Sequence, residues 1–314
     1  MRIVHVHPGC GIPVPPITWG AIEKLIWDLK INQEKLGHEV DVKYADSIEA
    51  GDYDIIHCHV ANLAIGLAER GIPYVYQLHD HHAYHHGKDS HVYNQNLKAI
   101  EGSLISLMPA KYLVNYFESD KCRYFSHGVD TEFFKPDPDK AKSRTFLMLA
   151  NNGLSGDSSF DRKGFGYGIA LAALLDETIT IAGPSNNKNW FNNNLWALTY
   201  PKLQLHFDLN PEQVRDLYQT HEIFLHPTML EAGHPNLTMV EAAACGMPII
   251  ADWEMETDFH GAWRAPRDVF AMNDGYKDIV SKWDSYVERS LNTAKELDWS
   301  NRAEELIEIY QQFI

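Results

Sequence analysis

Short apolar runs of strand length alternate with helix-length segments along the whole chain, and this alternation restricts the fold more than any single motif. The first set is "RIVHVH" (2–7), "HEVDVKY" (38–44), "YDIIHCH" (53–59) and "IPYVYQL" (72–78), with "SLISLM" and "CRYFS" further on. Between the first two, Ile22, Leu25, Ile26, Leu29 and Leu36 recur near helical spacing, and Gly37 is placed to end that helix. Strands separated by crossover helices predict a parallel α/β architecture. The segment "KPDPDKAKS" (135–143) is charged and proline-bearing and reads as a linker. A second alternation follows, "TFLMLA" (145–150), "TITIAG" (178–183), "KLQLHF" (202–207), "EIFLH" (222–226) and "MPIIA" (247–251), and the tail from Asp274 is helical and amphipathic. At 314 residues there is material for two cores. We expect two Rossmann-like domains, over 1–138 and 139–300, facing a central cleft, with ligands at the carboxyl ends of both sheets.

Composition narrows the function classes. A formal net charge of −16 argues against a protein that relies on a broad positive field to hold nucleic acid, and gives no support to docking on anionic lipid. No apolar run approaches the length of a membrane span. The start "MRIVHVHPG" enters a strand at once, without the succession of a secretory signal, so a cytoplasmic location is expected, the host cytoplasm if the source is viral. Cys10, Cys58, Cys122 and Cys245 have no paired metal spacing, and reduced thiols are the default.

The segment 226–252, "HPTMLEAGHPNLTMVEAAACGMPIIAD", reads as strand exit, loop, helix and strand, with Glu231 and Glu241 on either side of a Gly/Pro-bearing turn. A helix N-terminus above a sheet favours an anion such as a diphosphate, whereas the oxygens of Glu231 suit sugar hydroxyls and Glu241 could reach a ribose. Acidic residues around loops are also common on plain solvated faces. After "TFLMLA", the stretch "NNGLSGDSSFDRKGFG" carries Arg162 and Lys163 ahead of a helix. The adjacent cations are either a surface pair or a clamp that neutralises a departing diphosphate.

"HDHHAYHHGKDSH" (79–91) holds six of the 17 histidines. Its spacing matches no zinc signature. His82, His85, His86 and His91 read as a solvated loop, while His79, first after a strand, is assigned to substrate contact. Gly9 and Gly11 lack the spacing of a dinucleotide-binding loop, and no nucleophile elbow or P-loop is present.

The ordered set "WGAIE", "GHEV", "DIIHCH", "QLHD", "HGVDTEFF", "DRKGFG" and "EAGHPNLTMVEAAACGMPIIA" resembles the family-4 retaining glycosyltransferases of GT-B fold, also termed group 1, over nearly the whole chain. The resemblance implies a hexosyl- or pentosyltransferase whose nucleotide-sugar donor, a UDP-sugar by family frequency, is held mainly by the C-terminal domain, and a last helix at 301–314 packing back on the N-terminal domain. It implies backbone contact of Gly20 and Ala21 with the diphosphate, pairing of Arg162 and Lys163 with its charge, Glu231 on sugar hydroxyls, Glu241 on the ribose and His79 beside the transferring sugar. Ala232, Gly233, Asn236 and Leu237 would complete the donor loop. No metal or other obligatory cofactor is implied, and the leaving phosphate would help deprotonate the acceptor. Ala21 stands where the family has a second glycine, the loop from Glu231 to Glu241 is longer than usual, and the chain is short for the fold. The expected acceptor is a hydroxyl of a glycan or glycolipid. Alternatives are a hydroxymethylated base of viral DNA and a non-catalytic nucleotide-sugar sensor.

Overall fold

The computed structural model describes residues 1–17, 20–152, 161–229, 231–252 and 259–314. Trp19 of the "WGAIE" motif and residues 153–160 of the loop before Arg162 lie outside the described residues. Two units are distinguished by their internal contacts: Met1–Gly128 with Glu231–Pro235 and Leu297–Ile314, and Val129–Leu230 with Asn236–Glu296.

The first unit runs β1 (Arg2–Val6), α1 (Ala21–Lys35), β2 (Glu39–Lys43), β3 (Ile55–Cys58), α2 (Ala61–Glu69), β4 (Val75–Gln77), α3 (His82–His86), α4 (His91–Gly102), β5 (Ile105–Met108), α5 (Lys111–Phe117) and β6 (Cys122–Tyr124). The second runs β7 (Ser143–Leu149), α6 (Phe165–Leu175), β8 (Thr178–Gly183), α7 (Lys188–Asn193), β9 (Leu203–Phe207), α8 (Pro211–Thr220), β10 (His221–His226), α9 (Leu237–Ala244), β11 (Ile249–Asp252), β12 (Ala262–Ala265), α10 (Val269–Ser281) and α11 (Trp283–Glu296). The last helix, α12 (Trp299–Tyr310), belongs to the first unit.

Both sheets are six-stranded, with orders β2-β1-β3-β4-β5-β6 and β12-β11-β10-β7-β8-β9, and every described pairing is parallel. The α/β class expected from the alternation is therefore what the chain adopts. Strand order reverses between β1 and β3 in one sheet and between β7 and β10 in the other. Connections at such points leave toward opposite faces and open a crevice above the strand ends.

Period-two side-chain alternation separates the faces of the first sheet. Val4, Val6, Ile56, Cys58, Tyr76 and Leu78 share an apolar cluster with Ala64 and Leu67 of α2 and Ala99 and Ile100 of α4. On the opposite face, His5, His57, His59 and Gln77 are buried, beneath α1 and α12. In the second unit Phe146, Met148, Ile181, Leu225 and Ile250 pack with Phe165 and Ile169 of α6 and Met272 and Ile279 of α10.

Local chemistry sets several element ends. Asn210 and Gln213 form a reciprocal capping box at α8, with Pro211 in the first turn. Ser90 caps α4, accepting from the amide of Tyr93. The histidine-rich stretch read as a loop is in fact helical over His82–His86 and again from His91, though these side chains remain exposed. No apolar periodicity marks α3, because only Ala83 of its five residues is buried. Strand β12 escaped the sequence reading for a similar reason: in "AWRA" only Ala265 is buried. Among the described residues no helix is long and apolar enough to cross a membrane.

Candidate active site

At the switch point of the first sheet, the connection after β1 leads into α1 through Gly20, whose φ of 139° is open to glycine and strained for other residues. A β-carbon there would stand 2.8 Å from Oε2 of Glu23. Glu23 is buried under this turn and accepts from the Cys10 thiol at 2.8 Å. Ala21 opens the helix itself. The side chain of Glu23 thus fills the position where glycine is needed, and the residue after it can carry a methyl.

His79 follows β4 by two residues, on the face that bears His5, His57, His59 and Gln77. Its Nε2 lies 2.9 Å from Nδ1 of His59. Burial, reinforced by the neighbouring His127, holds its pKa at about 3, so it is a neutral imidazole at physiological pH.

The Glu231–Pro235 segment is clamped within the first unit by its backbone. Tyr112 Oη donates to the carbonyl of Glu231 at 2.9 Å, Tyr124 Oη to the carbonyl of His234 at 2.6 Å, and the amide of His234 to the carbonyl of Pro109 at 3.0 Å. Glu231 and Ala232 are each 7% exposed. Gly233 lies against His127, where a β-carbon would come within 2.6 Å of the ring.

His127, which the sequence reading did not single out, stands beside Gly233 and Glu231. It is buried, and among the described residues neither ring nitrogen has a hydrogen-bond partner. Burial lowers its pKa to about 4 despite the opposing pull of the Glu231 carboxylate. His127 is the first residue of the "HGVDTEFF" motif.

In the second unit, Arg162 and Lys163 sit in the turn before α6. The carbonyl of Arg162 accepts from the amide of Met229 at 3.0 Å, which ties this turn to the exit of β10. The amide of Lys163 donates to Oδ1 of Asn152 at 3.0 Å, and Arg162 Nη2 to the carbonyl of Asn151 at 3.2 Å. Gly164, at φ 74°, packs directly on the Pro227 carbonyl. Asp161 then closes the helix: its carboxylate accepts from the amides of Phe165 at 2.9 Å and Gly166 at 2.7 Å. The first amides of α6 are therefore taken by an internal acid, and attraction for a diphosphate at this turn falls to the two cationic side chains.

Asn236 caps α9, its Oδ1 accepting from the amide of Thr238 at 3.0 Å, and Leu237 is the first helical residue. One turn on, Glu241 is buried and accepts from the hydroxyl of Tyr218 at 3.1 Å. The first unit thus holds Gly20, Ala21, His79, Glu231, Ala232 and Gly233, and the second holds Arg162, Lys163, Asn236, Leu237 and Glu241.

Ligand nitrogens of His5, His57 and His59 lie within 4.8 Å of one another, which raises the question of a metal. His5 Nδ1 and His59 Nε2 are already hydrogen bonded at 3.0 Å, and the rings of His57 and His59 stack at 4.3 Å with 20° between their planes. Stacked rings direct their lone pairs side by side, whereas tetrahedral ligation needs them to converge. The cluster is better described as a hydrogen-bonded network.

Residues 168–308 match the family described as glycosyl transferase-like. No curated protein matches the chain. Among solved structures, sucrose-phosphate synthase from Thermosynechococcus elongatus is similar with a TM-score of 0.77 at 13% identity, covering 99% of this chain and 98% of that one. HepE from Anabaena, in complex with UDP-glucose, gives 0.75 at 13% identity and covers 99% and 100%. AviGT4, a glycosyltransferase involved in avilamycin A biosynthesis, gives 0.72 at 17% identity and covers 99% and 97%.

Proposed function

We propose that the chain, whose residues 168–308 match the glycosyl transferase-like family and whose fold is similar to those of sucrose-phosphate synthase and HepE, is a group 1 glycosyltransferase that moves a sugar from a nucleotide diphosphate, with UDP as the nucleotide, to a hydroxyl of a glycan or glycolipid, retaining the anomeric configuration. The observation that carries this reading is the turn at Arg162 and Lys163. It presents two cations at a strand end, its helix amides are occupied by Asp161, and its backbone is tied to the strand that leads to Glu231. UDP is favoured because UDP-glucose is the ligand in the similar HepE structure.

In the reaction, the bond from the anomeric carbon to the diphosphate oxygen breaks and a bond to the acceptor oxygen forms on the same face. The acceptor proton passes to the departing diphosphate. Arg162 and Lys163 stabilise the charge that develops on that leaving group, an interaction stronger in the transition state than in the bound donor. Glu231 accepts from hydroxyls of the donor sugar, and Glu241 from the ribose. His79, neutral, contacts the transferring sugar as a hydrogen-bonding group and carries no charge. No side-chain nucleophile enters this scheme.

Thermal unfolding of the protein with free UDP, GDP and ADP, and slow hydrolysis of the matching sugar nucleotides, test the donor half. Ligand at a hundredfold excess over its Kd stabilises by about 2.7 kcal/mol, an easily read shift in midpoint. Indifference to all three nucleotides, together with no hydrolysis, would overturn the proposal.

A further inference from the structure

Three strands of the first sheet place imidazoles on one buried face, and their nitrogens form a continuous line. Gln33 Oε1 lies 2.9 Å from His5 Nε2, His5 Nδ1 lies 3.0 Å from His59 Nε2, and His59 Nδ1 lies 2.9 Å from His79 Nε2. Among the described residues, Nδ1 of His79 at the far end has no partner. Gln33 sits on α1, fully buried, twelve residues beyond Ala21.

A neutral imidazole has one N–H and one lone pair, so each link of such a line dictates the next. Burial keeps His5, His59 and His79 neutral, which makes this constraint operative at physiological pH. With the Gln33 carbonyl facing His5, Nε2 of His5 must donate and its Nδ1 must accept. His59 then donates from Nε2 and accepts at Nδ1, and His79 donates from Nε2. The remaining nitrogen, His79 Nδ1, is left with a lone pair. A Gln33 amide turned the other way would reverse every link and put a proton on that nitrogen. The placement of the amide decides between them: it is Oε1 of Gln33 that stands 2.9 Å from His5 Nε2, while its Nε2 has no hydrogen-bond partner among the described residues.

We propose that Gln33 is a positioning residue which, through His5 and His59, fixes His79 as the Nε2–H tautomer, so that His79 offers a hydrogen-bond acceptor to a hydroxyl of the bound sugar. The role of that acceptor rests on the assignment of His79 to the sugar site; the tautomer itself does not.

Long-range proton–nitrogen correlation spectra of protein carrying nitrogen-15 in histidine read the tautomer directly. The wild type is expected to show His79 with a pyridine-type Nδ1 and a pyrrole-type Nε2. Gln33→Met, of similar volume but without the carbonyl, should change the His79 tautomer ratio by about fivefold or more, the worth of one neutral hydrogen bond. Gln33→Glu, which restores an acceptor, should return it. His59→Phe provides a second interruption should Gln33→Met not fold. A pyrrole-type Nδ1 in the wild type, or a His79 signal pair unmoved in the folded variants, overturns the relay. If the tautomer responds but His79→Ala leaves the donor turnover number and KM unchanged, the relay stands and the placing of His79 in the sugar site fails.

Discussion

The hydroxyl of Tyr218 donates to Oε2 of Glu241 across 3.1 Å, in a region where Tyr218 is fully buried and Glu241 nearly so. Helix α8 thereby orients the carboxylate assigned to the ribose, and burial together with that carboxylate raises the pKa of the phenol far above its ordinary value. Tyr218→Phe removes the donor and leaves the ring packing with Phe224 intact. We expect a stability loss of about 0.5–1.5 kcal/mol, since a buried carboxylate loses one hydrogen bond. Urea unfolding measures it, and a weaker response to free nucleotide should accompany it. A variant with unchanged affinity and stability would dissociate Tyr218 from the site.

Glu231 is held through its backbone carbonyl by Tyr112, independently of its side chain. Glu231→Ala should therefore leave this backbone bond in place while kcat/KM for the donor falls about 10- to 100-fold, the loss of hydrogen bonds to a charged group. Tyr112→Phe should do the reverse in part, loosening the loop at a measurable cost in stability.

Arg162 and Lys163 differ in what a substitution removes. Arg162 offers a planar fork and Lys163 a point charge, so Arg162→Lys should recover little of the activity lost in Arg162→Ala. Either alanine variant should lower kcat more than donor affinity, because the charge they meet grows as the leaving group departs. Equal losses in a binding titration and in turnover would contradict that role.

The buried imidazoles predict an acid-labile fold. His5 and His127 have pKa values near 4, and His57 and His59 lie well below the ordinary 6.5, in each case chiefly through burial. The unfolded chain then binds protons that the native one refuses, so stability is fully present above pH 6.5 and is lost as pH falls toward 4. Each such histidine contributes up to about 1.4 kcal/mol per pH unit in that window. Urea midpoints at pH 7.5, 6 and 5 should fall with increasing steepness, and His5→Gln should make the decline shallower. A flat profile across this range would mean that the cluster takes up protons without unfolding.

Much of the candidate site could be proposed from the chain because its residues follow strand ends. Arg162 and Lys163 come after β7, Glu231 after β10 and His79 after β4, and period-two apolar runs reveal where those strands stop. The helix at His82–His86 was not legible, since one buried alanine is too little to set up a periodicity. His127 escaped for another reason. Its significance comes from burial beside Gly233 and Glu231, over a hundred residues along the chain, and no local pattern encodes that.

Local patterning alone determined that strands and helices would alternate, where most strands lie, and that His57 and His59 point to one side of their own strand, since alternation along a strand is a property of consecutive residues. Tertiary structure alone decided which strands are neighbours. The pairing of His5 with His57 depends on β3 crossing to lie beside β1, and the hydrogen bond between His59 and His79 depends on β4 following it. Parallel strands are joined by long crossovers whose destination is set by packing of both helix layers. For that reason the histidines could be counted in the sequence, and their line of contact could be seen only in the fold.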